Sequence, residues 1–220
     1  MSDLLPMFPL NTVVFPGLNV PLHVFEERYV ALVRDLLQRP ERDRVFGSVA
    51  IREGYEVGDH GAQSLYRVGC RLLLTDVEQR ENGTYDVLGI GIDRFALEGL
   101  EAGGDFPVGH VAAMPEEGLE VTPEVLEDAR AVVSAYRAAV GAFGQDPFGD
   151  DLPRDPAMLS WTLAANAPLP MPDRQELLEI DDVGTRLSRL TGLLRFELRA
   201  INVIPSLPAT GVPRTSWSPT

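Results

Sequence analysis

Apolar and polar positions follow one period in the first half of the chain and another in the second. Tyr66, Val68, Cys70, Leu72 and Leu74 alternate with their neighbours over nine positions, the period of two that marks a strand. Asn82-Gly83 follows, the dipeptide favoured by a type I′ hairpin, and a second long strand is predicted from Tyr85 to about Glu98. Leu88, Ile90 and Ile92 share one face of it, whereas Phe95 and Leu97 have the other parity. A one-residue bulge near Asp93-Arg94 would bring them to the same core. Upstream, the stretch from Leu4 to Phe15 is apolar but broken by Pro6 and Pro9, which suits edge strands, and Asn19 to Phe25 is another extended piece. Tyr29, Leu32, Val33, Leu36 and Leu37 then recur at helical spacing until Pro40. Val45 to Ile51 reads as a buried strand, and Val108 to Met114 as the last one. Six or so short strands with one helix predict a small closed or half-closed barrel.

After Thr122, a cap followed by Pro123, the period becomes helical. Val125, Ala129, Val132, Tyr136, Val140 and Phe143 lie along one stripe. Asp155-Pro156 starts a short helix that ends before Pro168, and Pro172 to Ile180 forms another. A last helix begins near Asp182, with Val183, Leu187, Leu190, Leu194, Leu198 and Ile201 on one face. The expected organisation is α+β: a β-rich part over 1–118, a helical bundle over 119–205, and a disordered tail over 206–220 that holds prolines and little to bury.

Charge changes this picture more than length does. The 220 residues carry 33 acidic against 19 basic side chains, a net −14, which repels phosphate backbones and anionic headgroups. Neither nucleic acid nor membrane is therefore an expected partner. All 19 basic residues are arginine. The lack of lysine excludes a P-loop lysine, a Ser–Lys dyad and a side-chain Schiff base. The single Cys70 cannot form an intrachain disulfide and fits a reducing compartment. With no leader-like start and no apolar run of about 18 residues, a cytoplasmic location is expected.

The order of motifs resembles a known family. Leu5-Pro6-Met7-Phe8-Pro9-Leu10, Val14-Phe15-Pro16-Gly17 and Pro21-Leu22-His23-Val24-Phe25-Glu26-Glu27-Arg28-Tyr29 are similar to the opening of the Lon protease N-terminal domain. Phe46-Gly47, Ile51-Arg52-Glu53-Gly54, Val57-Gly58 and Tyr66-Arg67-Val68-Gly69-Cys70 continue in the same order. Gly91-Ile92-Asp93-Arg94-Phe95 looks like the family's Gly-x-x-Arg-Phe strand, and Arg174-Gln175-Glu176-Leu177-Leu178-Glu179 like its Lys-Gln-x-Leu-Leu-Glu helix, with Arg174 in the lysine place. The resemblance covers about residues 4–203. It implies a PUA-like antiparallel pseudobarrel with one inserted helix, followed by a helical bundle. It also implies the substrate-recognising part of Lon in a stand-alone form, without its ATPase and protease modules.

No residue constellation argues for catalysis. His23, His60 and His110 are far apart and without a neighbouring cysteine, so no metal site is expected. Cys70 reads as a buried thiol, Gly89-Ile90-Gly91 as strand, and the aspartates between Gln145 and Asp155 as a solvated linker rather than a calcium loop. The expected function is a non-catalytic module, free of cofactors, that binds exposed apolar segments of unfolded or partner proteins. The alternative is RNA binding, known for other PUA-like barrels, which the charge opposes. The expected binding surface lies near the Val14–Gly17 turn and the strand that follows it. Phe15, Pro16, Leu22 and Phe25 would supply its apolar part, with Arg28 and Arg94 as polar rim.

Overall fold

The computed structural model describes residues 3–52, 64–101, 103–118, 120–141, 146–149 and 151–203. The stretch Glu53-Gly54, Val57-Gly58, His60, Phe143 and the expected tail lie outside the described residues. The described residues fall into two compact units, divided first after Glu117. The first contains six strands and two helices: β1 (Asp3–Pro6), β2 (Asn19–Val24), α1 (Glu27–Leu37), β3 (Val45–Ile51), β4 (Leu65–Gln79), β5 (Tyr85–Glu101), β6 (Val108–Met114) and α4 (Met171–Glu179). The second contains α2 (Pro123–Gly141), α3 (Pro156–Asn166) and α5 (Val183–Val203). Met171–Asp181, which by sequence belongs to the helical half, thus groups with the strands.

All strand pairs are antiparallel, in the order β1-β6-β5-β4-β3. The chain running on from β1 then bridges in parallel to β3, at Met7–Gly47 and Leu10–Ala50. Phe8 N–H donates to Gly47 O (2.8 Å) and Leu10 N–H to Val49 O (3.0 Å). One segment therefore lines both ends of the sheet and closes it into a barrel, which is how the prolines at positions 6 and 9 come to sit in a seam. β2 stands outside this ring and pairs with the first part of β5, from Asn19↔Ile90 to Val24↔Tyr85.

The hairpin at Asn82-Gly83 forms, but with a different turn. Gly83 N–H bonds Arg80 O (3.0 Å), Gly83 alone has positive φ (83°), and Arg80 N–H bonds Thr84 O (2.9 Å). This is a three-residue loop closed by a left-handed glycine, not the two-residue type I′ turn. The expected bulge is present too: Leu72 faces Gly91 and Cys70 faces Arg94, so β5 holds one extra residue between them. Its effect differs from expectation. Tyr85 and Val87 enter one core cluster, with Phe8, Tyr29 and Leu72; Phe95 and Leu97 enter a second, with Met7, Val49 and Val111. Ile92 is left exposed. A strand of 17 residues in a curled sheet passes two cores, and the bulge moves it from one to the other.

Gly91 sits where the backbone of the Phe15–Gly17 turn crosses β5. Gly17 N–H bonds Gly91 O (2.8 Å), and a Cβ on Gly91 would stand 2.4 Å from Phe15 O. Gly91→Ala must push that turn away, and we expect a stability loss of about 1–3 kcal/mol by urea unfolding. An unchanged midpoint would show that the turn is not seated on β5.

In the second unit, α5 packs on α2 and α3. Asp155 Oδ1 accepts from Met158 N–H (2.8 Å), the expected cap of α3, and Asp182, where the last helix is expected to begin, accepts at Oδ1 from Thr185 N–H (2.6 Å). Asp146 pairs with Arg137 (3.1 Å), so two aspartates of the acidic stretch, Asp146 and Asp155, have structural partners. Arg186 is fully buried, donates from Nε to Ser160 Oγ (2.9 Å) and lies 3.4 Å from the Trp161 ring centre.

Candidate functional site

Within the first unit, the chain leaving β2 turns directly into α1. Glu26 is the N-cap residue of α1, but its side chain caps nothing. Its Oε2 accepts instead from Arg28 Nε (3.0 Å) and Nη2 (2.6 Å). The Arg28 guanidinium in turn lies 4.7 Å from the centre of the Tyr29 ring. Tyr29 is buried and stacks on Phe8, with ring centres 4.1 Å apart and planes 18° apart; Phe8 also touches Phe46 at 6.3 Å. Beside these rings opens a pocket of about 200 Å³, walled by the segment from Phe8 to Asn11, by His23 to Glu26, and by Tyr29 and Ile51.

Phe25 stands at this pocket with 65% of its surface exposed, its ring 5.9 Å from that of His23. The hollow beside it has both apolar walls, Phe8, Leu10, Val24 and Ile51, and polar ones, Asn11, His23 and Glu26. His23 Nδ1–H donates to Asp86 Oδ1 (2.6 Å), and Arg80 binds the other carboxylate oxygen and Glu78 (3.2 Å). The His23 and Arg80 bonds hold the Asp86 carboxyl below the usual carboxylate range. At the pocket wall, burial pushes the Tyr29 hydroxyl up, while Arg28 opposes and Glu26 assists that shift. That hydroxyl is buried and has no hydrogen-bond partner among the described residues.

The residues expected at the site from sequence separate into two groups. Phe25 is exposed, Arg28 half-buried, and Leu22 packs partly against the core. Phe15 is 1% exposed and Pro16 is buried, because their turn is clamped between β5 and α4. Arg174 of α4 lies 5.7 Å from the Phe15 ring centre and donates to Val13 O (3.4 Å). Burial lowers the pKa of this guanidinium.

Arg94 is 2% exposed and forms no rim. Its Nη1 donates to Leu178 O and Ile180 O (both 3.0 Å) and its Nη2 to Pro115 O (3.1 Å), with Asp181 at 3.1 Å and Glu116 at 3.7 Å. Two of these carbonyls belong to the end of α4, where a helix leaves acceptors unpaired and favours a cation. Gln175 completes the latch, donating to Val68 O (3.0 Å) and Glu179 Oε1 (2.8 Å). The Arg-Phe strand and the Arg-Gln helix, separate motifs in the sequence, are two halves of one fastening.

Sequence reasoning did not single out Phe8, Tyr29 or Ile51 as pocket walls. The available signal was Tyr29 itself, a tyrosine in an apolar stripe, whose hydroxyl needs a partner when buried. Cys70 is buried, and burial pushes its thiol pKa well up, away from the thiolate that nucleophilic chemistry requires. Among the described residues, no three His, Cys, Asp or Glu side chains gather to hold a metal, and no helix is long and apolar enough to cross a membrane.

These features define an α+β protein whose antiparallel barrel carries an exposed aromatic pocket at one edge. Comparison with known proteins says which: a family model described as the ATP-dependent protease La (LON) substrate-binding domain matches residues 4–195, and the chain belongs to this family. It is 29% identical over 211 residues to the Lon protease of Escherichia coli K12 and 26% over 216 residues to that of Azorhizobium caulinodans. These alignments cover 90% and 92% of this chain but 25% and 24% of the relatives, so the chain spans about a quarter of their length. The fold is also similar to a crystal structure of a Lon N-terminal domain protein from Xanthomonas campestris. The TM-score is 0.64 at 26% identity, over 86% of this chain and 98% of that one. The N-terminal domain of Lon from the Mycobacterium avium complex shares the fold alone, with a TM-score of 0.60 at 20% identity over 88% and 98%. The PUA-like pseudobarrel with its inserted helix is thus the architecture of this chain.

Proposed function

We propose that this chain recognises other proteins by binding their exposed apolar segments at the face around Phe25, and that it performs no catalysis of its own. The observation that carries this reading is the 65% exposed Phe25 beside a pocket of mixed apolar and polar walls, in a chain of a substrate-binding family. Phe25, Leu22 and Arg28 contact the client. Phe15 and Pro16 instead seat the turn before β2 on β5, and Arg94 fastens the end of α4. An anchor side chain burying about 100 Å² of apolar surface contributes about 2.5 kcal/mol, so one segment alone binds weakly and flanking contacts decide the affinity. The net charge of −14 keeps nucleic acid and anionic membranes away from the same face.

The test is fluorescence polarisation with a labelled polypeptide that is permanently unfolded, against its folded form as control. The unfolded form should bind and the folded form should not. Phe25→Ser should weaken binding at least fivefold with an unchanged melting temperature. Equal binding by Phe25→Ser would place recognition elsewhere, and binding of a labelled RNA instead would overturn the reading.

A further inference from the structure

We propose that the occupant of this face is an extended peptide with basic flanks, which adds as a strand to the free edge of β2 and seats one large apolar side chain in the pocket beside Phe25. This rests on the reading that the Phe25 face binds clients, and specifies what binds and how.

The direction of the β2 backbone follows from its ladder. Gly91 N–H bonds Leu18 O (3.0 Å), and these two residues stand opposite each other in the register that continues through Asn19↔Ile90. Paired groups alternate along an antiparallel ladder. Val20, Leu22 and Val24 therefore direct their N–H and C=O at β5, while Asn19, Pro21 and His23 direct theirs outward. Asn19, Pro21 and His23 are all exposed, and among the described residues no strand other than β5 pairs with β2. Pro21 has no N–H, so the outward donor row is interrupted there and resumes at His23, next to the pocket. The edge is blocked along one part and open at the part that borders the hollow, so added strands are confined to His23 and Phe25.

The pocket suits a side chain. Its volume of about 200 Å³ is below the roughly 300–1,000 Å³ of small-molecule sites. Tyr29 is one of its walls, and the Tyr29 hydroxyl, itself buried, has no partner among the described residues. A small shift of this wall on binding would let a main-chain carbonyl of the incoming strand give it one.

Charge selects the flanks. The two arginines near the face are already matched, Arg28 by Glu26 and Arg80 by Asp86 and Glu78. Glu27, also exposed at the start of α1, adds a further negative charge. A basic segment meets this surplus and an acidic one is repelled by it, most strongly at low salt.

The probe is a synthetic eight-residue peptide with a central phenylalanine, valines and threonines around it, and arginines at both ends. Single backbone N-methylation along the peptide should weaken binding tenfold or more at alternate positions and little at those between. Glutamate in place of the terminal arginines should weaken it at least tenfold in low salt. On the protein, His23→Pro removes an outward N–H at a position equivalent to Pro21 and should abolish binding, whereas His23→Ala should retain it. Tyr29→Phe should bind several-fold more weakly with an equal or higher melting temperature.

If the peptide binds but methylation shows no alternation, strand addition is wrong while client binding at Phe25 stands. Strand addition is equally wrong if His23→Pro binds as His23→Ala does, and the peptide is the wrong occupant if the peptide-free protein self-associates through this edge. If neither the peptide nor an unfolded polypeptide binds, the functional reading itself fails.

Discussion

Replacing Arg94 by methionine is expected to lower the stability of the barrel unit by about 3–5 kcal/mol, the range for removing one partner of a buried charged network. The side chain is 1% exposed and satisfies three main-chain carbonyls at once, two of them at the end of α4. Methionine fills similar space but leaves those carbonyls without donors. Hydrogen exchange should locate the damage, with amides of Met171–Asp181 losing protection before those of β4 and β5. Arg94→Lys should recover only part of the loss, since an ammonium lacks the planar fork that reaches carbonyls on two sides. A loss below about 1 kcal/mol for methionine would mean that α4 is held by its apolar contacts, chiefly Leu177 and Leu178, which are almost fully buried.

The second large effect separates two phenylalanines that the sequence treats alike. Phe15→Ser should destabilise by about 3–5 kcal/mol, because it removes a ring that is 1% exposed and leaves a hydroxyl among apolar neighbours. Phe25→Ser should change stability by no more than about 0.5 kcal/mol, as expected of a surface position, yet it should lose client capture. Urea unfolding with the polarisation assay reads both quantities on the same samples. Stable Phe15→Ser protein that no longer captures clients would move the binding face to the Val14–Gly17 turn.

Much of the fold is legible in the order of the residues because it depends on local pattern. The strands Val45–Ile51 and Val108–Met114 appear at the bounds that the sequence predicts, Asp155 caps the helix it is expected to cap, and the last helix starts beside Asp182 as expected. A cap involves residues three apart, and a strand face repeats every two, so both are written within a few positions. The bulge in β5 is also visible, as a change of parity before Phe95. The turn type at Asn82-Gly83 is not, because both I′ and three-residue loops use a left-handed glycine, and the choice depends on which residues pair across the hairpin.

The site is legible only in part. The segment from Leu22 to Arg28 alternates between core and surface, and Phe25 is its exposed ring. Nothing local distinguishes Phe25 from Phe15. Phe15 is buried because Gly91, 76 residues away, has no Cβ and lets the turn descend onto β5, and because Arg174 closes over it. Arg94 likewise reads as a surface arginine until α4 returns to the strands and presents its unpaired carbonyls.

By itself, then, the sequence determined the periods of the elements, the cap at Asp155, the negative charge and the family. Tertiary structure alone decided which edge stays open, which aromatic ring remains in water, and which arginine becomes a fastening. Those three outcomes depend on contacts between residues roughly 60 to 160 positions apart, where one missing Cβ or one ladder partner settles whether a group is desolvated. Burial is a property of the assembled surface, and no local pattern encodes it.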